Sequence, residues 1–161
     1  MPTTFSSPDC EIVIDKLVGR GKGLGRRQDG KVVLVAGALL GERLRVRVTQ
    51  EQRDYVLAEI VEVLDPAADR VTPACPLTGE CGGCDFAHID WARQLVYKQA
   101  ALHEQIVRFQ AAPAVELAVA AEPPLAPASA WRWRCRVRMH CDGRELGLYR
   151  RHSHAIVPVT R

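Results

Sequence analysis

Three thiols stand close together in the run Cys75-Pro76-Leu77-Thr78-Gly79-Glu80-Cys81-Gly82-Gly83-Cys84. Thiolate ligands select zinc, Cu(I) or iron–sulfur centres over hard cations. Structural zinc favours four protein ligands in paired Cys-x₂₋₄-Cys knuckles, whereas this run is a triplet with one wide gap. Iron–sulfur clusters also take four cysteines, commonly three near one another and one remote. Cys75, Cys81 and Cys84 therefore read as an iron–sulfur motif still missing its fourth ligand. Gly82 and Gly83 let the backbone close on such a centre. Cys135 and Cys141 are the internal candidates for the fourth position. Cys141 is the better of them, because Cys135 shares the parity of neighbouring tryptophans and reads as a packed thiol. Cys10 reads as incidental.

A second chemistry is electrostatic. Glycines alternate with other residues, several of them cationic, in Gly19-Arg20-Gly21-Lys22-Gly23-Leu24-Gly25-Arg26-Arg27. A strand rather than a helix is expected next, so this is no dinucleotide fingerprint. A flexible basic loop carrying Arg20, Lys22, Arg26 and Arg27 instead suits nucleic-acid phosphates, whose counterions the cations release. The plain alternative is a solvated hairpin loop. Further on, Trp131-Arg132-Trp133-Arg134-Cys135-Arg136-Val137-Arg138-Met139 alternates without a break. As a strand it sets Arg132, Arg134, Arg136 and Arg138 on one face and the apolar residues on the other. Four like charges in a row call for RNA phosphate or an acidic strand opposite. Trp131 and Trp133 are assigned to the core. His140, His152 and His154 are assigned to an exposed strand end or RNA-facing turn rather than to a metal.

Two groups of elements must position these residues. Strands are expected at residues 11–14, 31–35, 43–48 and 55–64, with Gly-rich turns between them; residues 43–48 alternate strictly, with a wet, basic face. Such a set over residues 10–66 predicts a small OB-like barrel. Residues 1–9 are expected to be disordered. Residues 67–161 predict an α+β part, so the fold class is mainly β with an α+β second half. Its helix begins near Asp90, a good N-cap, and carries Trp91, Leu95, Leu102, Ile106 and Phe109 on one face up to Ala112-Pro113. A strand at 114–120, a Pro/Ala-rich loop at 122–130 and strands at 131–141, 145–150 and 155–159 complete it.

The totals narrow the classes. A chain of 161 residues, 47% hydrophobic and 25% charged, has an ordinary globular composition. No apolar run approaches the ~18 residues of a membrane span. Residues 1–8 have neither the basic nor the apolar region of a secretory signal, so the expected compartment is a reducing cytoplasm, where clustered cysteines mean metal or redox chemistry. The net charge of +3 is small but unevenly spread. Six cations face one acid between Lys16 and Lys31, and eight arginines face two acids from Trp131 onward. The total is too small to establish a nucleic-acid partner by itself, but two basic zones on it predict an oriented electropositive face.

These residues resemble the N-terminal part of the RNA 5-methyluridine (uracil-C5) methyltransferases of ribosomal or transfer RNA. Val18-Gly19-Arg20-Gly21-Lys22-Gly23, Asp29-Gly30-Lys31-Val32-Val33-Leu34-Val35 and Gly41-Glu42 are similar to the family's TRAM barrel. Cys75-Pro76…Cys81-Gly82-Gly83-Cys84, Gln94-Leu95-Val96-Tyr97-Lys98-Gln99 and Trp131-Arg132-Trp133-Arg134 are similar to its central domain. The resemblance implies a [4Fe–4S] cluster on Cys75, Cys81 and Cys84, with a fourth cysteine falling just past Arg161. It also implies S-adenosylmethionine in the full-length enzyme, bound by a catalytic domain with a cysteine nucleophile and a carboxylate base. No residue here matches those parts, so the chain alone is expected to be inactive and to work with a separate catalytic domain. The competing assignments are a stand-alone RNA-binding adaptor and a structural zinc module completed by Cys141.

Overall fold

A computed structural model describes residues 9–109, 127, 131 and 134–159. Five strands close into a barrel: β1 (Cys10–Val18), β2 (Lys22–Arg26), β3 (Val32–Ala36), β4 (Arg43–Glu51) and β5 (Tyr55–Asp65), in the order β1-β2-β3-β5-β4. Alternation turns Ile12 and Ile14, Val33 and Val35, Leu44, Val46 and Val48, and Val56 and Ala58 into one core. Burying each large side chain contributes about 1.5–3 kcal/mol. All neighbours pair antiparallel except β3 and β5, which run parallel.

The expected flexible glycine loop is largely a strand. Val18 leads through a single 3-10 turn, Gly19–Gly21, into β2, which pairs with β1 and β3. Period-two glycine marks a strand whose inward positions have no room for a side chain. A Cβ at Gly25 would stand 2.4 Å from the Val13 carbonyl oxygen.

The expected basic face of β4 is present and already neutralised. Arg43 meets Asp65 at 2.7 Å, Arg45 pairs with Glu62 and reaches Glu11 at 3.5 Å, and Arg47 meets Asp9 at 3.0 Å.

Glu42, fully buried in the turn before β4, joins the barrel to the segment that leads into the cysteine loop. Its Oε2 accepts the Leu39 backbone N–H at 2.8 Å and an Arg70 Nη2–H at 2.7 Å. Its Oε1 accepts the Ala67 N–H at 3.2 Å, and Arg70 Nη2 also donates to the Gly37 carbonyl at 2.7 Å. Burial alone would push this carboxyl up, but the hydrogen bonds from Arg70, Leu39 and Ala67 reverse the effect and hold it below its ordinary value.

Beyond the barrel come the cysteine loop, helix α1 (Trp91–Arg108) and a sheet of β6 (His140–Cys141), β7 (Leu146–Tyr149) and β8 (Ile156–Pro158) in that order. Asp90 caps α1 as expected, its Oδ1 accepting the Ala92 and Arg93 N–H groups. The helix ends at Arg108, short of Ala112-Pro113, and its expected apolar face is not buried: Leu102 is 53% and Phe109 77% exposed. Lys16 on β1 ties to Glu104 at 2.7 Å. The long strand expected at 131–141 is only β6 among the described residues, and Arg134–Met139 are exposed without strand pairing. The expected burial of Cys135 and Val137 therefore does not occur. The strand at 114–120 and most of the loop at 122–130 lie outside the described residues, as do residues 1–8. Among the described residues no helix is long and apolar enough to cross a membrane.

Candidate nucleic-acid interface and cysteine loop

The cysteine loop is wound by short-range backbone bonds and pinned to the second sheet. Thr78 N–H donates to the Cys75 carbonyl at 3.1 Å and Cys81 N–H to the Leu77 carbonyl at 2.9 Å. Gly82 N–H then reaches the Tyr149 carbonyl at 2.8 Å, and Arg151 N–H the Glu80 carbonyl at 3.0 Å. The approach is close enough that a Cβ at Gly82 would stand 2.9 Å from the Tyr149 oxygen. Two arginines reinforce it: Arg150 pairs with Glu80 at 2.5 Å, and Arg151 pairs with Asp85 at 2.9 Å while donating to the Cys84 carbonyl. Sequence reasoning counted Arg150 and Arg151 only as charge. Their link to Glu80 and Asp85 spans some seventy residues and leaves no local signal.

All six cysteines are free thiols. Cys84 senses its neighbours: burial foremost, then the charges of Cys81 and Cys75, push its thiol up, while Arg134 and Arg151 pull it down. Cys81 Sγ accepts the Gly83 N–H at 3.3 Å. As the side chains stand, no three His, Cys, Asp or Glu groups among the described residues are gathered tightly enough to hold an ion. Three thiols in one loop are donors of the soft kind that zinc or an iron–sulfur cluster takes. Cys141 lies exposed on β6 with its Sγ accepting the Gly143 N–H at 3.3 Å, and Cys135 is exposed.

The basic residues are distributed rather than pooled. Lys22 opens β2, faces the cysteine loop across a cleft, and has no ion-pair partner among the described residues. Arg26 lies about 13 Å away at the other end of the strand, by the strand rise, and Arg27 follows just past it. Arg26 Nη1 donates to the Gly30 carbonyl at 3.1 Å. Arg27 grips Asp29, its Nε reaching both carboxylate oxygens at 3.1 and 3.0 Å, and this hydrogen bonding holds the Asp29 carboxyl down at about 2. Arg134 reaches Cys84 electrostatically, and Arg136 and Arg138 are exposed with no ion pair among the described residues. The side chains of Arg20 and Arg132 lie outside the described residues. His140 stacks on Tyr149 with centroids 3.7 Å apart, and His154 meets the same ring edge-on at 5.2 Å.

The closed five-stranded barrel matches the TRAM domain over residues 10–61. The barrel is a TRAM domain. Relatives extend the likeness past the barrel. An "Uncharacterized RNA methyltransferase" of Thermotoga maritima is 32% identical, covering 92% of this chain and 33% of that protein. The "23S rRNA (uracil(1939)-C(5))-methyltransferase RlmD" of Shewanella denitrificans is 31% identical over 95% of this chain and 33% of its own length. The protein of the same name from Vibrio cholerae is 34% identical over 98% and 36%. The chain thus spans about a third of the length of these curated relatives, and is homologous to part of an RNA uracil-C5 methyltransferase.

Proposed function

We propose that this TRAM chain is the RNA-presenting portion of an S-adenosylmethionine-dependent RNA uracil-C5 methyltransferase acting on ribosomal or transfer RNA in the cytoplasm. The single observation that carries the reading is homology to such enzymes that runs through the cysteine loop rather than stopping at the barrel. S-adenosylmethionine chemistry belongs to a catalytic domain working with this chain, and none of the described residues takes a catalytic role. The chain's own residues bind and orient RNA: Arg20, Lys22, Arg26 and Arg27 from the barrel, and Arg132, Arg134, Arg136 and Arg138 from the second part. Cys75, Cys81 and Cys84 hold an iron–sulfur cluster, which on this reading stabilises the loop facing the barrel.

Phosphate contact makes affinity salt-dependent. Single-stranded RNA binding should weaken with salt, and each cation lost should reduce the log–log slope by about 0.7. Alanine at Arg20, Lys22, Arg26 and Arg27 together should therefore lower affinity and flatten the slope, with little change in sequence preference, in fluorescence-anisotropy titrations. An unchanged slope would assign these residues to the barrel's own structure.

Anaerobic purification tests the cysteines. Iron and sulfide in similar amounts, with broad absorption near ~400 nm that Cys81→Ser abolishes, are the expected result. Stoichiometric zinc without sulfide would favour the structural zinc assignment.

A further inference from the structure

Three rings gather on the face of the second sheet that is turned away from the cysteine loop, and the register fixes the sides. Leu148 opposes the buried Val157 across β7 and β8, and a Cβ at Gly83 would stand 2.7 Å from Leu148 Cδ1, so this face packs on the cysteine loop. Alternation turns Tyr149 to the other side. His140 joins it there, because its partner across β6 and β7 is Gly147, two residues before Tyr149. Gly147 has no room for a side chain, since a Cβ there would run into the Val157 carbonyl. The place opposite His140 is therefore bare, and the imidazole reaches its diagonal neighbour instead. The His140 and Tyr149 rings stack with centroids 3.7 Å apart and planes 16° from parallel, and His154 meets Tyr149 at 79°.

These rings are open to solvent. His140 and Tyr149 are half-buried and His154 is exposed. Among the described residues no side-chain hydrogen bond holds any of the three, and no ring or cation covers the second side of the His140 imidazole. Cations surround them. Arg136 and Arg138 lead into β6 and Arg144 stands in the turn after it, all exposed and without an ion pair among the described residues. Of the acids in that turn, Asp142 accepts the Arg144 and Glu145 N–H groups, both at 2.9 Å, while Glu145 shares the ring side by parity. An apolar partner has no use for the arginines, and a bare anion has none for the rings. Single-stranded RNA offers a planar face and a phosphate at every residue.

We propose that this face is a base-stacking platform: one base of a single-stranded RNA lies on the open side of the His140 imidazole and extends the His140–Tyr149 stack by one ring, with an adjoining phosphate at Arg138. Every base has a π-face, so the platform discriminates little among bases and strongly between a base and none.

The platform rests on the RNA-binding reading, and the test separates the two. Anisotropy titrations of the full chain would use ten-nucleotide homopolymers of A and of U and an abasic ribose-phosphate oligomer of the same length. His140→Ala, on the edge strand of the sheet, should weaken both base-bearing oligomers roughly tenfold and leave abasic binding and the salt slope unchanged. His140→Phe keeps a ring and should bind as wild type does. Arg138→Gln should weaken all three oligomers and flatten the slope. In proton NMR spectra the His140 ring signals, identified by their loss in His140→Phe, should move upfield with either homopolymer and stay in place with the abasic strand. Unchanged affinity of His140→Ala for the base-bearing oligomers, with no movement of those signals, would overturn the platform and leave the RNA reading standing. A His140→Phe variant as weak as His140→Ala would also overturn it, since the imidazole would then act through a polar atom. So would an equal loss for abasic and base-bearing oligomers in His140→Ala, which would place the residue in the sheet's own packing. Failure of every oligomer to bind wild-type protein would overturn the RNA reading itself.

Discussion

Glu42→Leu lowers the unfolding free energy by about 3 kcal/mol, the low end of the cost of breaking a buried ion pair by removing one partner. The substitution keeps apolar volume but strips Arg70 of its carboxylate and leaves the Leu39 and Ala67 N–H groups without an acceptor. Urea unfolding should show a lower midpoint with a similar slope. Pairing the change with Arg70→Met should recover much of the loss, because a buried ion pair replaced whole by apolar groups is often neutral. A single-variant cost below about 1 kcal/mol would mean that the clasp does not hold the barrel to the cysteine loop.

Acid should destabilise the chain from about pH 6.5 downward, above the range in which ordinary carboxylates are protonated. Burial first, and the Arg70 charge next, lower the His88 imidazole to about 4, against an ordinary value of 6.5. The opposing charges of Glu42 and Asp85 recover only part of that drop. The unfolded chain therefore binds a proton that the folded chain refuses. Stability is complete above about pH 7, falls as pH drops from 6.5 to 4, and levels off below, with a total loss of about 3 kcal/mol from this residue. Glu42 adds a further loss at lower pH, since its carboxyl is held below its ordinary value. Urea midpoints between about pH 4 and 8 should trace this fall in wild type and a flatter profile in His88→Gln. The same profile in both would remove His88 from the account.

Alternation carried most of the barrel. Residues 31–35, 43–48 and 55–64 wrote their inward faces in β-branched and aliphatic residues, and β3, β4 and β5 lie there. β2 was misread because glycine is the commonest sign of a loop, and only the packed partner, here Val13, explains a glycine chosen for lack of room. Residues 131–141 failed in the opposite sense. Alternation defines two faces, but a strand also needs hydrogen-bonded neighbours, and Arg134–Met139 have no strand pairing among the described residues. The thiol triplet is a reading of spacing alone, and as the side chains stand no such group among the described residues is gathered to hold an ion. The charges were legible only as a sum, because pairs such as Arg43 with Asp65 or Arg151 with Asp85 depend on contacts far apart in the chain. His88 gave no signal at all, since its burial and lost partner exist only once the loop meets the barrel.

The strand order of the barrel bears on how the chain is made. β1, β2 and β3 form a local meander that is complete once residue 36 has left the ribosome, yet its two outer strands then have open edges. The next hairpin fills both: β4 pairs with β1 and β5 with β3. Closure is therefore one late event that waits for residue 65. Synthesis stalled between those two points would leave a valine-rich edge, Val32–Ala36, unpaired and available to another nascent chain.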